Sequence, residues 1–346
     1  MKLLFQLQTS HDSLIHDVSI DFYGKRIATC SSDQKIKVWE KKSQGRWVCS
    51  SEWKAHNGSI WKIVWAHPQF GQCIASCSFD QTVCIWEEQD EPIQDQKNTV
   101  SYWAKKATIS DGQMSIQDIK FAPSHFGLKL ATADSSGMLR MYEAPDIMDL
   151  SRWAQTHEFQ VSKLCVNSMS WNISRGSIPM IAIASNDRLN PLQIWEFIET
   201  SRKWTEGLKL AHDDIVNHVD WAPQIGRSFH LIATASKDGK VRIWKLDESA
   251  KKIAPNYPFV CEGHTGEVWK VEWNITGTIL ASSADDGTVR LWRADIDGKW
   301  NCLSIISTEN KEKVFQNQKE NNENLQLNDN RDDQNNSNDN LQIEFK

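Results

Sequence analysis

An all-β propeller is the fold class this chain predicts, and three observations predict it. A common unit recurs with its closing aromatic every 47 to 56 residues, each copy reads as short strands divided by turn residues, and 17 of the 346 residues are Trp. Repeats at this period mark propellers or solenoids, because one small sheet cannot bury both of its faces alone. The mildly acidic balance, a net charge of −6 with pI about 5.9, argues against a nucleic-acid surface, where a basic patch would supply most of the affinity.

The clearest unit is His264 to Trp292. Val268, Val271 and Trp273 mark a first strand, Ile279 to Ser283 a second, Val289 to Trp292 a third and Trp300 to Ile306 a fourth. Asn274, Thr276, Gly277 and Asp285-Asp286-Gly287 supply the turns between them. His11 to Trp39 aligns with this unit without a gap: each Trp stands 28 residues after its His, and Asp33 and Asp286 each stand 22 after theirs. His56 to Trp86 and His212 to Trp244 repeat the unit with 2 and 4 extra residues, placed in the first turn around Pro68 and Pro223. Ile116 to Tyr142 and Val166 to Trp195 keep the strands but lack the initial His. Six blades therefore span residues 11–306, after an N-terminal strand in residues 1–10. Residues 307–346, rich in Asn and acidic side chains, read as a disordered tail with too few apolar groups to offset ordering entropy. The acidic connector Glu87 to Lys97 in the second blade reads as a solvated loop.

Four blades carry the same polar set: His11, Thr29, Asp33, Trp39; His56, Ser76, Asp80, Trp86; His212, Thr234, Asp238, Trp244; His264, Ser282, Asp286, Trp292. Each resembles a hydrolase triad, yet a hydrolase needs one exposed nucleophile beside an oxyanion hole, and this set occurs four times. The expected role is structural: Asp accepts from His, His meets the hydroxyl, and the hydroxyl meets the indole N–H, so every buried polar group is satisfied. Ser136 and Leu189 replace the Asp in blades three and four, which are expected to be softer. No zinc-site spacing, Walker loop or Rossmann glycine fingerprint is present, so the sequence offers no catalytic, metal or cofactor site. The eight cysteines, scattered over strands, suit reduced, buried thiols, with Cys73 and Cys77 facing one side of a strand. Met1 to Leu7 is too short for a signal peptide and no run reaches the length of a membrane span, so the chain reads as soluble and intracellular.

The tetrads and closing aromatics resemble the WD-repeat β-propellers, which is a statement of fold. LIHDVSIDFYGKRIATCSSDQ at Leu14–Gln34 and WAHPQFGQCIASCSFD at Trp65–Asp80 are similar to the small WD proteins shared by the nuclear-pore scaffold and the outer coat of secretory vesicles. YEAPDIMDLSRW at Tyr142–Trp153, GRSFHLIATASKD at Gly226–Asp238 and VWKVEWNITGTILASSADDG at Val268–Gly287 resemble the nucleoporin sibling. That resemblance implies a structural, non-enzymatic subunit of the Y-shaped subcomplex of the nuclear pore at the nuclear envelope. It also implies a place in a nutrient-sensing coat-like complex at the lysosome or vacuole. The partners it implies are an α-helical scaffold nucleoporin that inserts a β-blade in trans, other Y-complex subunits, and subunits of the nutrient-sensing complex. The competing readings are a vesicle-coat subunit, a peptide-reading WD-repeat adaptor and an enzyme. Receptors of ubiquitin ligases carry Trp-Asp-x-Arg after a blade, whereas Trp39, Trp86 and Trp195 here are followed by Glu, Trp244 by Lys and Trp292 by Arg.

Counting strands sharpens the expectation. Six blades of four strands make 24, and the apolar run Leu3 to Leu7 makes 25, while seven blades would need 28. The extra strand could latch onto blade six and close a six-bladed ring, but Trp300 to Ile306 already fills that place. An open propeller is therefore expected, with Leu3, Phe5 and Leu7 lining a slot between blades one and six, and the resemblance implies that a partner fills it by strand addition.

Removing Asn310–Lys346 is expected to leave the melting temperature unchanged, since that segment has no core face to contribute. A large drop on truncation would mean that the tail docks on the propeller.

Overall fold

The computed structural model describes residues 7–42, 45–92, 99–112, 114–174, 178–247, 249, 251–255 and 257–307. They form six four-stranded antiparallel sheets, each a meander of four consecutive strands. Blade one is β1 (Ile15–Ile20), β2 (Arg26–Ser31), β3 (Lys35–Lys41) and β4 (Trp47–Lys54); blade two is β5 (Ile60–Trp65), β6 (Cys73–Ser78), β7 (Val83–Pro92) and β8 (Thr99–Ile109). Blade three is β9 (Ile116–Phe121), β10 (Lys129–Asp134), β11 (Met138–Glu143) and β12 (Ala154–Gln160); blade four is β13 (Val166–Trp171), β14 (Met180–Ser185), β15 (Leu192–Ile198) and β16 (Lys203–Leu210). Blade five is β17 (Val216–Trp221), β18 (His230–Ser236), β19 (Val241–Leu246) and β20 (Phe259–Cys261); blade six is β21 (Val268–Trp273), β22 (Ile279–Ala284), β23 (Thr288–Ala294) and β24 (Trp300–Ser307).

The fold class and the six repeats are as the sequence predicts, and two local expectations are corrected. The acidic stretch expected to be a loop from Glu87 is strand as far as Pro92, because β7 and β8 continue their ladder from Glu87↔Ala104 out to Pro92↔Thr99. Cys49 and Cys302 are exposed, since they lie on outer strands, whereas Cys30, Cys73, Cys77, Cys84 and Cys261 are buried. Of the expected N-terminal strand, Leu3 and Phe5 lie outside the described residues, and the half-buried Leu7 is not in a strand.

Apolar packing between consecutive blades follows one rule. The second and third strands turn a face of small or aliphatic residues forward, and the next blade answers with bulky residues from its first three strands. Ala28, Cys30, Ile36 and Val38 of blade one meet Ile60, Ile63, Ile74 and Trp86 of blade two. Ala233, Ala235, Val241 and Ile243 of blade five meet Val268, Val271, Trp273, Leu280 and Trp292 of blade six. The same arrangement joins blades two to three, three to four and four to five. Strands with both faces covered carry long apolar runs; β14 and β18 are buried along their whole length.

The polar sets close three blades as drawn. In blade one His11 Nδ1 lies 2.8 Å from Asp33 Oδ2, Nε2 lies 2.9 Å from Thr29 Oγ1, and Trp39 Nε1 donates to the same hydroxyl at 3.2 Å. Asp33 fixes the proton on Nδ1, so Nε2 accepts from the threonine. Blade two repeats the chain at 3.1 Å (His56–Asp80), 2.8 Å (His56–Ser76) and 3.0 Å (Trp86–Ser76). Blade six repeats it at 2.9 Å (His264–Asp286), 2.8 Å (His264–Ser282) and 2.8 Å (Trp292–Ser282). The aspartate also ties down its own turn: Asp286 accepts from the backbone N–H of Thr265 and Thr288.

Blade five departs from the expectation. His212 Nε2 reaches Thr234 at 2.8 Å, but Asp238 pairs with Arg242 at 2.7 Å, and Trp244 Nε1 has no hydrogen-bond partner among the described residues. The cation wins because a full charge attracts the carboxylate more strongly than a neutral imidazole does. Burial, with Arg242 nearby, holds the His212 pKa down at about 4. Blades three and four satisfy their polar groups differently. Asp134 accepts from Arg140 at 2.7 Å, and Arg140 also meets Glu158 at 2.9 Å; Trp195 Nε1 donates to Gln193 Oε1 at 3.0 Å.

Asp33→Ala and Asp286→Ala each leave a buried imidazole without its acceptor, and each is expected to lower stability by about 1 to 3 kcal/mol. Thermal or urea unfolding measures it; variants that melt with the parent would show that the tetrads do not support the blades.

Candidate functional site: an open edge between the last blade and the first

Five apolar cores join the six blades among the described residues, and the sixth junction is missing. The inner strands pack in succession, β1 on β5, β5 on β9, β9 on β13, β13 on β17 and β17 on β21, with no equivalent packing of β21 on β1. The gapless alignment of blades one and six allows a residue-by-residue comparison. Val268, Val271 and Trp273 are 0%, 0% and 7% exposed, whereas their counterparts Ile15, Val18 and Ile20 are 40%, 45% and 60% exposed. Side chains of the same kind on the same strand differ only in having a neighbouring blade. The forward face of blade six shows the converse: Ala281, Ser283, Val289 and Leu291 are half-buried, while Ala28, Cys30, Ile36 and Val38 are closed off by blade two. Two apolar walls therefore face an unfilled edge, a surface that invites a partner.

The inner rim of this edge is held by an ion pair, Lys270 Nζ to Asp17 Oδ1 at 2.9 Å. Both residues belong to a ring that the repeat places around the central channel: Asp17, Lys62, Asp118, Ser168, His218 and Lys270, each following the bulge of its inner strand. The sequence reading missed this ring, although aligning the six copies would have shown it. Asp118 is buried and its pKa is raised by that burial, while its carboxylate accepts from the backbone N–H of Met169 at 2.7 Å. Burial also drives the His218 pKa well down, with Lys62, Lys120 and Lys270 adding to the effect and the Val271 backbone opposing it. Cavities of about 510 and 550 Å³ lie against His218 and Lys270; the first is lined largely by charged and amide side chains, and the second mixes Asp17, Lys120, Asp220 and Glu272 with apolar groups that include Val18 and Ile20.

His16, which lines the first cavity, meets Ser32 Oγ through Nε2 at 2.5 Å, but among the described residues no carboxylate hydrogen-bonds to that imidazole to complete a triad. Cys84 Sγ lies 3.9 Å from His56 Nδ1, but the thiol is 2% exposed and that nitrogen faces Asp80, so the pair cannot meet a substrate. Burial pushes the Cys73 thiol up to about 12, which makes it a poor nucleophile. Among the described residues, no cluster of His, Cys, Asp or Glu could hold a metal ion, and no helix is long and apolar enough to cross a membrane. Of the residues expected to line the slot, Leu3 and Phe5 lie outside the described residues. Leu7 is half-buried just ahead of blade one.

Comparison with known proteins agrees with this architecture. The family model described as "WD domain, G-beta repeat" matches residues 2–40, 47–87, 205–245 and 256–293, which are blades one, two, five and six. Nucleoporin SEH1 of Osmerus mordax is 46% identical over 315 residues, covering 87% of this chain and 86% of that protein. Nucleoporin SEH1-A of Xenopus laevis is 45% identical over 316 residues, 87% of each chain. Nucleoporin SEH1 of Homo sapiens is 43% identical over 316 residues, again 87% of each. With six propeller blades, tetrads in the expected strands and this identity along nearly the whole folded region, the chain belongs to the family of WD-repeat nucleoporins that includes Nucleoporin SEH1.

Proposed function

We propose that the chain is a non-enzymatic scaffold subunit of the Y-shaped subcomplex of the nuclear pore, at the nuclear envelope. It holds its partner by accepting a β-sheet segment of an α-helical scaffold nucleoporin between blades six and one. The missing sixth junction carries this reading. Ile15, Val18 and Ile20 on one wall and Val289 and Leu291 on the other are apolar groups that a globular chain buries when it can. Covering the exposed half of one such side chain contributes about 1 kcal/mol, so several together supply a useful part of a stable interface. In this reading Leu3, Phe5 and Leu7, apolar residues just ahead of blade one in the sequence, border the inserted element and pair with it by strand addition. Support for a non-enzymatic role comes from the repetition of the polar sets at one architectural position and from their burial. Membership of a nutrient-sensing coat-like complex at the lysosome or vacuole would use the same edge; it rests on the sequence resemblance alone. The nucleoporin name of the relatives favours the pore over a vesicle coat.

Val18→Asp combined with Leu291→Asp is expected to weaken binding of the co-expressed scaffold nucleoporin at least tenfold while the melting temperature stays near that of the parent. Met148→Asp, on a loop tip 91% exposed and outside the edge, should bind normally. Phe5→Asp with Leu7→Asp, or deletion of residues 1–8, should weaken the same capture. Because the contact is mainly apolar, its affinity should change little between low and high salt. Full binding by the Val18/Leu291 variant would rule the edge out as the docking site.

A further inference from the structure

The five complete junctions specify what the sixth must receive. Each junction has a fixed direction around the ring: Ala or Cys residues of the second strand face forward, and Ile, Val, Met or Trp of the next blade face back. Blade six turns the small Ala281 and Ser283 of its second strand, beside Val289 and Leu291 of its third, into the open edge, and blade one turns its bulky face, Ile15, Val18 and Ile20. An element packed the wrong way round would set small on small at one wall, leaving a void, and bulky on bulky at the other.

A second, polar feature crosses four of the five complete junctions, all but that between blades two and three. The inner strand of one blade supplies a carboxylate or hydroxyl to a backbone N–H on the inner strand of the next. Asp118 accepts from Met169 at 2.7 Å, Ser170 from Trp221 at 2.9 Å and Asp220 from Trp273 at 2.8 Å; Asp17 makes a longer contact to Ile63 at 3.4 Å. By register, Met169 and Ile63 occupy the place of Val18, while Trp221 and Trp273 occupy the place of Ile20. Among the described residues, no side chain reaches the N–H of Val18 or Ile20. These are the two donors that a seventh blade would cap.

We propose that the element closing the ring is a directional β-sheet segment of the partner: small residues (Ala, Ser or Cys) face blade one, β-branched or aromatic residues face blade six, and an Asp or Ser on its inner strand accepts the N–H of Val18 or Ile20. This rests on the reading of the open edge as the partner site and adds the face direction and the acceptor. Blade five of this same chain satisfies all three conditions. Ala233 and Ala235 form its small face, Val216, Val219 and Trp221 its bulky face, and Asp220 its acceptor.

The test uses that blade as the probe. A second copy of residues 216–246 is fused ahead of Met1 of the full chain through a flexible Gly/Ser linker. The expected result is a melting temperature higher by at least about 5 °C, amide exchange at Val18 and Ile20 slowed tenfold or more, and loss of scaffold-nucleoporin capture. Ala233→Ile with Ala235→Ile in the copy should abolish the gain in melting temperature, and Val18→Ala with Ile20→Ala in blade one should restore part of it by making room. Asp220→Ala in the copy should keep most of the thermal gain while exchange at Ile20 returns toward the unfused rate. The proposal is overturned if the Ile-bearing copy closes the ring as well as the parent copy, if its loss is not rescued, or if the parent copy changes neither melting nor exchange. Capture separates the two levels. A closed ring that still binds the scaffold nucleoporin fully removes the partner reading and leaves the face rule; a copy that blocks capture whichever way its faces point removes the face rule and leaves the partner reading.

Discussion

The contact on which the whole molecule depends is the seating of one blade's bulky back on the small front of the blade before it. A four-stranded sheet has two faces and only its neighbours to cover them. Ala28 and Cys30, or Ala182 and Ala184, let the following sheet come close, and Ile60 with Ile63, or Val216 with Val219, fill the space that remains. Apolar burial of this kind has no direction of its own, but the size difference between the two faces gives it one. Blades therefore stack in a single sense around the channel. The same size difference leaves the first and last blades with unlike walls, and unlike walls can only be joined by something that fits both.

Polar groups inside the blades follow from that packing rather than competing with it. A buried indole N–H and a buried imidazole need partners, and the hydroxyl between them serves both. The spacing of His11, Thr29, Asp33 and Trp39 puts these groups within hydrogen-bonding distance because three adjacent strands and one turn bring them to the same end of the sheet. Where the sequence changes, the requirement stays and the solution differs. Arg140 answers Asp134 in blade three, Gln193 answers Trp195 in blade four, and Arg242 takes Asp238 away from His212 in blade five. Recurrence of the need, with varied chemistry meeting it, is what structural groups show and what catalytic groups do not.

The two places where the molecule could act differ in kind. The central channel is ringed by paired and backbone-bound charges, so Asp17, Asp118 and Lys270 are occupied in holding strands together. The open edge has apolar walls that no apolar core covers among the described residues. That contrast supports the proposed assembly role: the channel's named charges are engaged in internal order, and the edge is where apolar surface stays uncovered among the described residues. Lys270 and Asp17 meet at the inner rim of the edge, so an inserted sheet would find the innermost strands already set at a fixed separation.

The repeat period, the strand order within a blade and the tetrads of blades one, two and six were legible from sequence, because they depend on local alternation and on spacing that recurs within one chain. The expectation of an open ring came from the resemblance and from a strand count whose extra member, Leu3 to Leu7, lies outside the described residues but for Leu7. Other features were settled only by the tertiary structure. His212 loses Asp238 because Arg242 on the neighbouring strand reaches the carboxylate first, and pattern matching sees the four residues but not the competitor. β7 and β8 run into a charged stretch because ladder pairing continues there, whatever the polarity of Glu87 to Pro92. Val18 and Val271 are the same residue at the same repeat position, and no sequence pattern separates them; one is buried and the other is not because burial depends on a neighbour, and only the closed or open state of the ring decides which blades have one.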